Sequence, residues 1–333
     1  MVYENLIQKI FKLYPWLVFL TFLTFIIFHF LYSIFSPVFI GEIKEIVIQP
    51  GEKIKTLAWK LEQEKIIRSS FYFRLLIAFK KSKIKAGIYK FNGFYTLNDV
   101  IKELEKGGRG IKITISEGMT AKEIENLLIK NGFKVNLSKY RLRDFEDINL
   151  TKYFPSSSSL EGFLAPDTYE FFPSDDEKTI VREILLNFYK KILPEILKGI
   201  DFSPYERLIL ASIVEKEAKN KDDFPVIADV LIKRLKSGNK LEADAVLVYE
   251  KCNFIFCSDP LTKKDLLTPS PFNVYLNKGL PPQPISNPGI LAIKSVNEPT
   301  KTDYWFYLTT KTGQAVFSKN FNEHKKNIEK YLK

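Results

Sequence analysis

The sequence predicts an α+β protein in three parts: an N-terminal membrane-spanning helix, a small α+β region and a larger α+β region. Three observations carry this. Residues 13–41 hold no charged side chain and are crowded with Phe, Leu and Ile. Beyond them, short runs that alternate with period 2 are interleaved with runs of helical period. A polar stretch at 136–159, ending in Ser156-Ser157-Ser158-Ser159, separates two patterned regions. The predicted boundaries are a tail at 1–12, an anchor at 13–41, a small region at 42–135, a connecting segment at 136–159 and a larger region at 160–333.

The anchor follows from length. About 20 apolar residues cross a bilayer as a helix, and 13–41 exceeds that. A cleavable signal has a shorter apolar run and small residues at its exit, whereas this run leaves through Phe35-Ser36-Pro37-Val38-Phe39. Lys9 and Lys12 precede the span and Glu42 follows it, so the positive-inside rule places the N-terminus in the cytoplasm. Tyr14, Trp16 and Tyr32 suit the interfacial belts. The remainder is then expected outside the cell membrane, on a single-pass anchor.

In the small region, Glu45-Ile46-Val47-Ile48 reads as a strand broken by Pro50-Gly51, followed by a helix through Leu57, Trp59 and Leu61. The same order returns as Ile111-Lys112-Ile113-Thr114-Ile115, a break at Glu117-Gly118, and a helix through Ile124, Leu127 and Leu128. Aligning Gly51 with Gly118 aligns Leu57 with Ile124 and Leu61 with Leu128, a weak internal repeat. Between the copies the pattern predicts a helix at 71–79, a short strand at 87–90 and a helix at 97–104. The larger region predicts helices at 177–197, 204–219, 224–235 and 289–296, a Pro-rich loop at 279–288, a hairpin of 304–309 with 314–317, and a closing helix at 322–332.

Composition narrows the chemistry. The chain has 333 residues, 45% hydrophobic and 27% charged, which excludes a disordered or collagen-like chain. Fifty Lys+Arg against 39 Asp+Glu give a charge of +11, suited to anionic headgroups or an acidic wall polymer and equally to a lysine-solubilised surface. No nucleic-acid-binding pattern is present. Two Cys and two His (His29 within the apolar run, and His324) are too few for a Cys/His zinc site, so no metal is expected. There is no Walker loop, dinucleotide turn, Gly-x-Ser-x-Gly or His-Glu-x-x-His, and no cofactor is expected. Cys252 and Cys257 suit a small disulfide loop outside the cytoplasm or a pair of free thiols. Carboxylates remain as the reactive groups.

Two of them stand out. On a wheel of Leu208–Ala218, Ile209, Leu210, Ile213 and Val214 share a broad apolar face with Glu217 in its middle, while Glu215 falls opposite, near Leu208, Ala211 and Ser212. A carboxyl held against apolar side chains is costly to ionise, so its pKa rises toward that of a general acid. The alternative is that both glutamates are solvated at a helix end. Further polar groups lie among turn formers: Glu161 and Asp167 in Glu161-Gly162-Phe163-Leu164-Ala165-Pro166-Asp167, Asp244 after Leu241-Glu242-Ala243, and Asn273 and Tyr275 before Gly279-Leu280-Pro281-Pro282-Gln283-Pro284. Tyr, Asn and acidic side chains are what a sugar cleft uses, and each alone also serves as a turn or cap.

Together these segments resemble the endolytic murein transglycosylase family, the membrane-anchored YceG-like proteins. The resemblance rests on residues 161–171, Ala211-Ser212-Ile213-Val214-Glu215-Lys216-Glu217-Ala218, residues 230–244 and 270–288, Tyr304-Trp305-Phe306-Tyr307 and Glu323-His324. It implies a LysM-like part around Pro50-Gly51 and Glu117-Gly118. It also implies a lyase acting on peptidoglycan glycan strands through one glutamate, which by motif is Glu217, with Glu215 as runner-up. Glu161, Asp167, Asp244, Asn273 and Tyr275 are the expected substrate-binding residues. The expected partners are glycan strands, the lipid bilayer and cell-wall synthases, and the expected location is the inner membrane. The chain departs from the family pattern at Asp244-Ala245-Val246, Gly313-Gln314-Ala315-Val316-Phe317 and Pro281-Pro282-Gln283-Pro284, but not at Glu217. Two other readings stay open: a non-catalytic peptidoglycan-binding scaffold for synthases, and a muramidase that hydrolyses with a second carboxylate such as Asp244, Glu161 or Asp167.

Overall fold

The computed structural model describes residues 2–49, 51–310 and 312–332 and is a mixed α+β protein with one N-terminal apolar helix. Pro50, named above with Gly51 as a chain breaker, lies outside the described residues, as do the side chains of Lys9, Lys12 and Tyr14. The chain divides into two compact units, Met1–Ile111 with Phe171–Ser174 and Lys112–Glu170 with Asp175–Lys333.

The first unit opens with α1 (Val2–Phe35), of which Trp16–Phe35 is long and apolar enough to cross a membrane. The helix stops before residue 41 because Pro37 cannot continue it, and Val38–Gly41 already belong to β1 (Val38–Ile48). Then come α2 (Ile54–Gln63), α3 (Ser70–Lys80), β2 (Gly87–Tyr95) and α4 (Leu97–Lys106). β1 and β2 pair antiparallel, with Phe39 opposite Phe94 and a register shift between Ile40 and Lys44. Alternate strand residues (Ile46, Ile48, Tyr89, Phe91) bury one face against Leu57 and Leu61 of α2, Phe73 of α3 and Val100 and Leu104 of α4. Ile34 of α1 joins this core, and the Arg68 guanidinium ties the helix end down by donating to the Pro37 carbonyl at 2.7 Å while lying over the Tyr32 ring.

The second unit contains β3 (Ile111–Ile115) apart from its first residue, α5 (Ala121–Lys130), β4 (Asp167–Phe171) apart from its last residue, α6 (Glu177–Asn187), α7 (Leu193–Lys198), α8 (Pro204–Glu217), α9 (Asp223–Lys236), α10 (Asp244–Lys251), α11 (Lys263–Leu267), α12 (Ile290–Asn297), the hairpin β5 (Phe306–Thr309) with β6 (Ala315–Ser318), and α13 (Phe321–Tyr331). Gly51 and Gly118 both take left-handed backbone (φ 71° and 74°), so the strand, glycine turn and helix order is present twice, as β1–α2 and β3–α5.

Several sequence expectations shift for identifiable reasons. The helix at 177–197 is interrupted at residues 188–192 by a wider π-type turn, because Pro194 has no N–H to bond backwards. Residues 136–159 form three short 3₁₀ turns that bury Leu142, Phe145, Ile148 and Phe154. β4 and α10 carry no strong sequence signal. β4 sits in a stretch dominated by turn formers, and α10 starts after Ala243, which cannot cap a helix with its side chain. Cys252 and Cys257 are disulfide-bonded, with Cα atoms 6.1 Å apart.

α8 is the central helix of this unit, packed by α7, α9, α10 and α12. Every residue from Arg207 to Val214 is buried, not only one face. Its N-terminus is fixed by a capping box in which Ser203 accepts the Glu206 N–H and Glu206 accepts the Ser203 N–H, with Pro204 in the first turn.

Candidate active site

The acidic end of α8 is where the two glutamates diverge. Both side chains are partly buried at the last turn. Burial is the largest influence on each and pushes both carboxyls up to about 7. The wheel's distinction between an apolar and an opposite face is therefore lost, because α8 is enclosed on all sides. Surroundings distinguish them instead. Glu215 accepts the Gly289 N–H at 2.9 Å, at the start of α12, and Gly118 packs so close that an added Cβ would sit 3.4 Å from the Glu215 side chain. It closes an internal joint.

Glu217 opens onto a cleft of about 630 Å³ lined by residues of α8, α9, α10, β5 and α13. Its Oε1 accepts the Ala245 N–H at 3.1 Å, in the first turn of α10. Opposing influences meet on this carboxyl. Burial and the nearby Asp244 charge favour the protonated acid, whereas the Ala245 N–H and the Tyr307 side chain favour the anion. A helix N-terminus also favours negative charge. An acid balanced near neutrality both gives and recovers a proton readily.

Asp244 and Tyr275 share this cleft, and the Tyr275 hydroxyl donates to the Asp244 carboxylate. Glu161, Asp167 and Asn273 do not line it. Glu161 is buried, accepts the Ala121 N–H at 3.0 Å, the Tyr249 hydroxyl at 2.9 Å and the Asn287 amide at 3.1 Å, and is pushed up to about 8 by burial. Asp167 pairs with Lys191 and accepts the Asn187 amide, and the Lys191 bond holds it down at about 2. Asn273 is fully buried, donates to the Thr268 carbonyl at 2.7 Å and accepts the Tyr275 N–H at 3.0 Å, which shapes the loop carrying Tyr275.

The Pro-rich loop is bound onto α8. The Ser212 hydroxyl accepts the Ile285 N–H at 3.0 Å, and Gly162 packs so closely on Pro284 that a Cβ there would come within 2.6 Å. The Gln283 amide donates to Tyr249, which donates to Glu161. Motif residues that read as sugar ligands thus form the joint that seats α10 and its N-terminal turn.

The cleft also contains groups that residue typing did not single out. Tyr307 on β5 has a buried hydroxyl that makes no close hydrogen bond among the described residues but lies near enough to act on Glu217, and burial followed by the Glu217 charge raises its pKa well above the usual phenol value. Arg234 donates to Glu242 at 3.1 Å and lies over the Phe306 ring. His324 stacks on Phe306, and burial, then the Arg234 charge, lowers its pKa, which favours the neutral ring. The available signal was Tyr304-Trp305-Phe306-Tyr307, whose fourth residue is at the cleft.

A mixed α+β body that follows a helix long and apolar enough to cross a membrane, with a near-neutral carboxyl in a polar and aromatic cleft, defines a class of protein equipped for acid–base chemistry. The YceG-like family model matches residues 46–330, and the chain belongs to that family. It is 32% identical over 308 residues to the endolytic murein transglycosylase of Bacillus subtilis, covering 86% of this chain and 84% of that one. Against the endolytic murein transglycosylase of Streptococcus pneumoniae serotype 2 it is 27% identical, covering 86% of this chain and 58% of the longer relative. The crystal structure of a YceG-like protein of Listeria monocytogenes superposes with a TM-score of 0.58 at 28% identity, covering 86% of this chain and 98% of that one.

Proposed function

We propose that this protein is a membrane-anchored endolytic peptidoglycan transglycosylase that cuts MurNAc–GlcNAc bonds and leaves 1,6-anhydroMurNAc ends, with Glu217 as its single acid and base. The observation that carries this is the Glu217 carboxyl, raised to about 7 inside the cleft. Protonated Glu217 gives its proton to the bridging oxygen as the C1–O bond breaks. The resulting carboxylate, held by the Ala245 N–H, takes the proton of the MurNAc C6 hydroxyl as O6 bonds to C1. The proton count closes without water, and Glu217 returns to its acid form.

In this reading Asp244 and Tyr275 bind sugar hydroxyls beside the acid, Tyr307 offers a donor next to Glu217, and Glu161, Asp167 and Asn273 support the cleft from outside. Glu215 is structural. Residues 42–135 act as the LysM-like part, and α1 anchors the chain with its N-terminus in the cytoplasm. Confinement to the inner membrane selects nascent strands, limits their elongation and brings the enzyme beside the synthases that polymerise them.

Asp244 supports a second reading, since it is another carboxylate in the same cleft and a hydrolase uses two. Mass spectrometry of the cut glycan distinguishes them. Anhydro ends support the transglycosylase, and reducing ends heavier by one water support the muramidase. A scaffold would release neither.

A further inference from the structure

We infer that α3 is a membrane-embedded amphipathic helix, its Phe71, Leu75 and Phe79 stripe set into the lipid leaflet that surrounds the outer end of α1. This rests on reading α1 as a bilayer span. The three side chains recur every four residues, so they share one side of the helix. They are 62%, 47% and 86% exposed, while Phe73 and Ile77 enter the core of the same unit. Two phenylalanines and a leucine in a row facing water would be an unusual surface for a soluble domain.

Geometry ties that stripe to bilayer depth. The hydroxyl of Tyr72, next to Phe71, lies 3.0 Å from Nδ1 of His29, and its ring packs edge-on against Phe30. His29 is six residues inside the end of the apolar helix Trp16–Phe35. The hydrocarbon core is about 30 Å thick, or about 20 helical residues at 1.5 Å each. If the buried span stopped at Phe28, only about 16 residues (about 24 Å) would remain above Lys12. The contact at His29 therefore falls at the outer edge of the hydrocarbon, and α3 begins there. Beyond the helix end, the exposed rings of Phe39 and Phe94 lie against each other with centroids 4.7 Å apart, adding exposed apolar surface on β1 and β2.

Charge agrees with a lipid occupant. From Lys65 to Asn98 there are eight basic residues and no acidic one, and Arg74, Lys80, Lys81 and Lys83 are exposed on or just after α3. Long basic side chains beside a buried apolar stripe reach anionic phosphates while their stems stay in the interface. Another copy of this chain would set the same positive segments against each other.

The test uses the full wild-type chain in nanodiscs of phosphatidylethanolamine and phosphatidylglycerol that include a phospholipid with a photoreactive acyl chain. After illumination, labelled peptides are mapped by mass spectrometry. The expected result is lipid label on residues 70–80 within about threefold of that on the outer half of α1, with α9 as background. A Phe71→Ser, Leu75→Ser, Phe79→Ser variant should lose about tenfold of the α3 label and keep that of α1. Label on α1 with residues 70–80 at background overturns the inference and leaves the anchor intact, whether α3 faces water or a protein. No label on α1 removes the anchor and the inference together.

Discussion

The Ala245 N–H donates to Glu217 Oε1 at 3.1 Å, joining the C-terminal turn of α8 to the first turn of α10. The same carboxyl feels the charge of Asp244, one residue earlier on α10, in the opposite sense. Burial raises its pKa first, and these two neighbouring residues of one helix then pull it in opposite directions. A general acid must carry its proton, so cutting should decline as pH rises through about 7. Replacing Asp244→Asn removes the charge that disfavours the anion, so the alkaline limb should move to lower pH. Rates on purified glycan strands from pH 5 to 9 check this, and an unmoved limb would contradict the proposed coupling.

Glu217→Gln keeps the side chain's size and removes its proton. Cutting should fall by about 10³-fold or more with glycan binding retained. Glu215→Gln keeps an acceptor for the Gly289 N–H and should stay within about tenfold of wild type, because Glu215 does not line the cleft. Equal losses in both variants would return the assignment to the helix end as a whole.

Tyr307→Phe removes a buried hydroxyl that makes no close hydrogen bond among the described residues and acts on the Glu217 carboxyl alone. Thermal stability should hold or rise slightly, while the rate falls by about 10- to 100-fold as the donor beside Glu217 disappears. A thermal melt alongside the rate separates the two effects.

Glu161 supplies a prediction about stability. Its folded pKa is raised to about 8 by burial, above the ordinary value of 4.5. The native state therefore holds this proton more tightly than the unfolded chain. That contribution is complete below about pH 4.5 and is lost as pH rises through about 8. Wild-type Tm should fall across this window, with Glu215 and Glu217 adding to the decline. Glu161→Gln cannot ionise, and its curve should be flatter by an amount on the order of a few kcal/mol at most. Melts at pH 5, 7 and 8.5 measure the difference.

Much of this was legible locally. The two glycine turns at Gly51 and Gly118 and the start of α8 at Pro204 follow from rules that act over a few residues, whereas the apolar run to residue 41 hid the stop that Pro37 imposes on α1. Glu217 could be singled out from its place on α8, whereas the burial that raises its pKa comes from the elements that enclose that helix. Glu161 and Asn273 were polar residues in rigid surroundings, and only the fold shows that their partners are Tyr249, Asn287 and the Thr268 carbonyl. Tyr307 lies 90 positions after Glu217, and no local rule brings β5 to the end of α8. Asp167 could not be separated from a ligand by type, since Lys191 reaches it from beyond α6.

The wall opposite Glu217 is supplied by β5 and by Phe321 and His324 of α13. Those residues leave the ribosome about a hundred positions after the acid does. Until they are made and folded, Glu217 lacks the hairpin and helix that complete its cleft. The surroundings that lift its pKa are therefore assembled last, when the C-terminal residues join the fold.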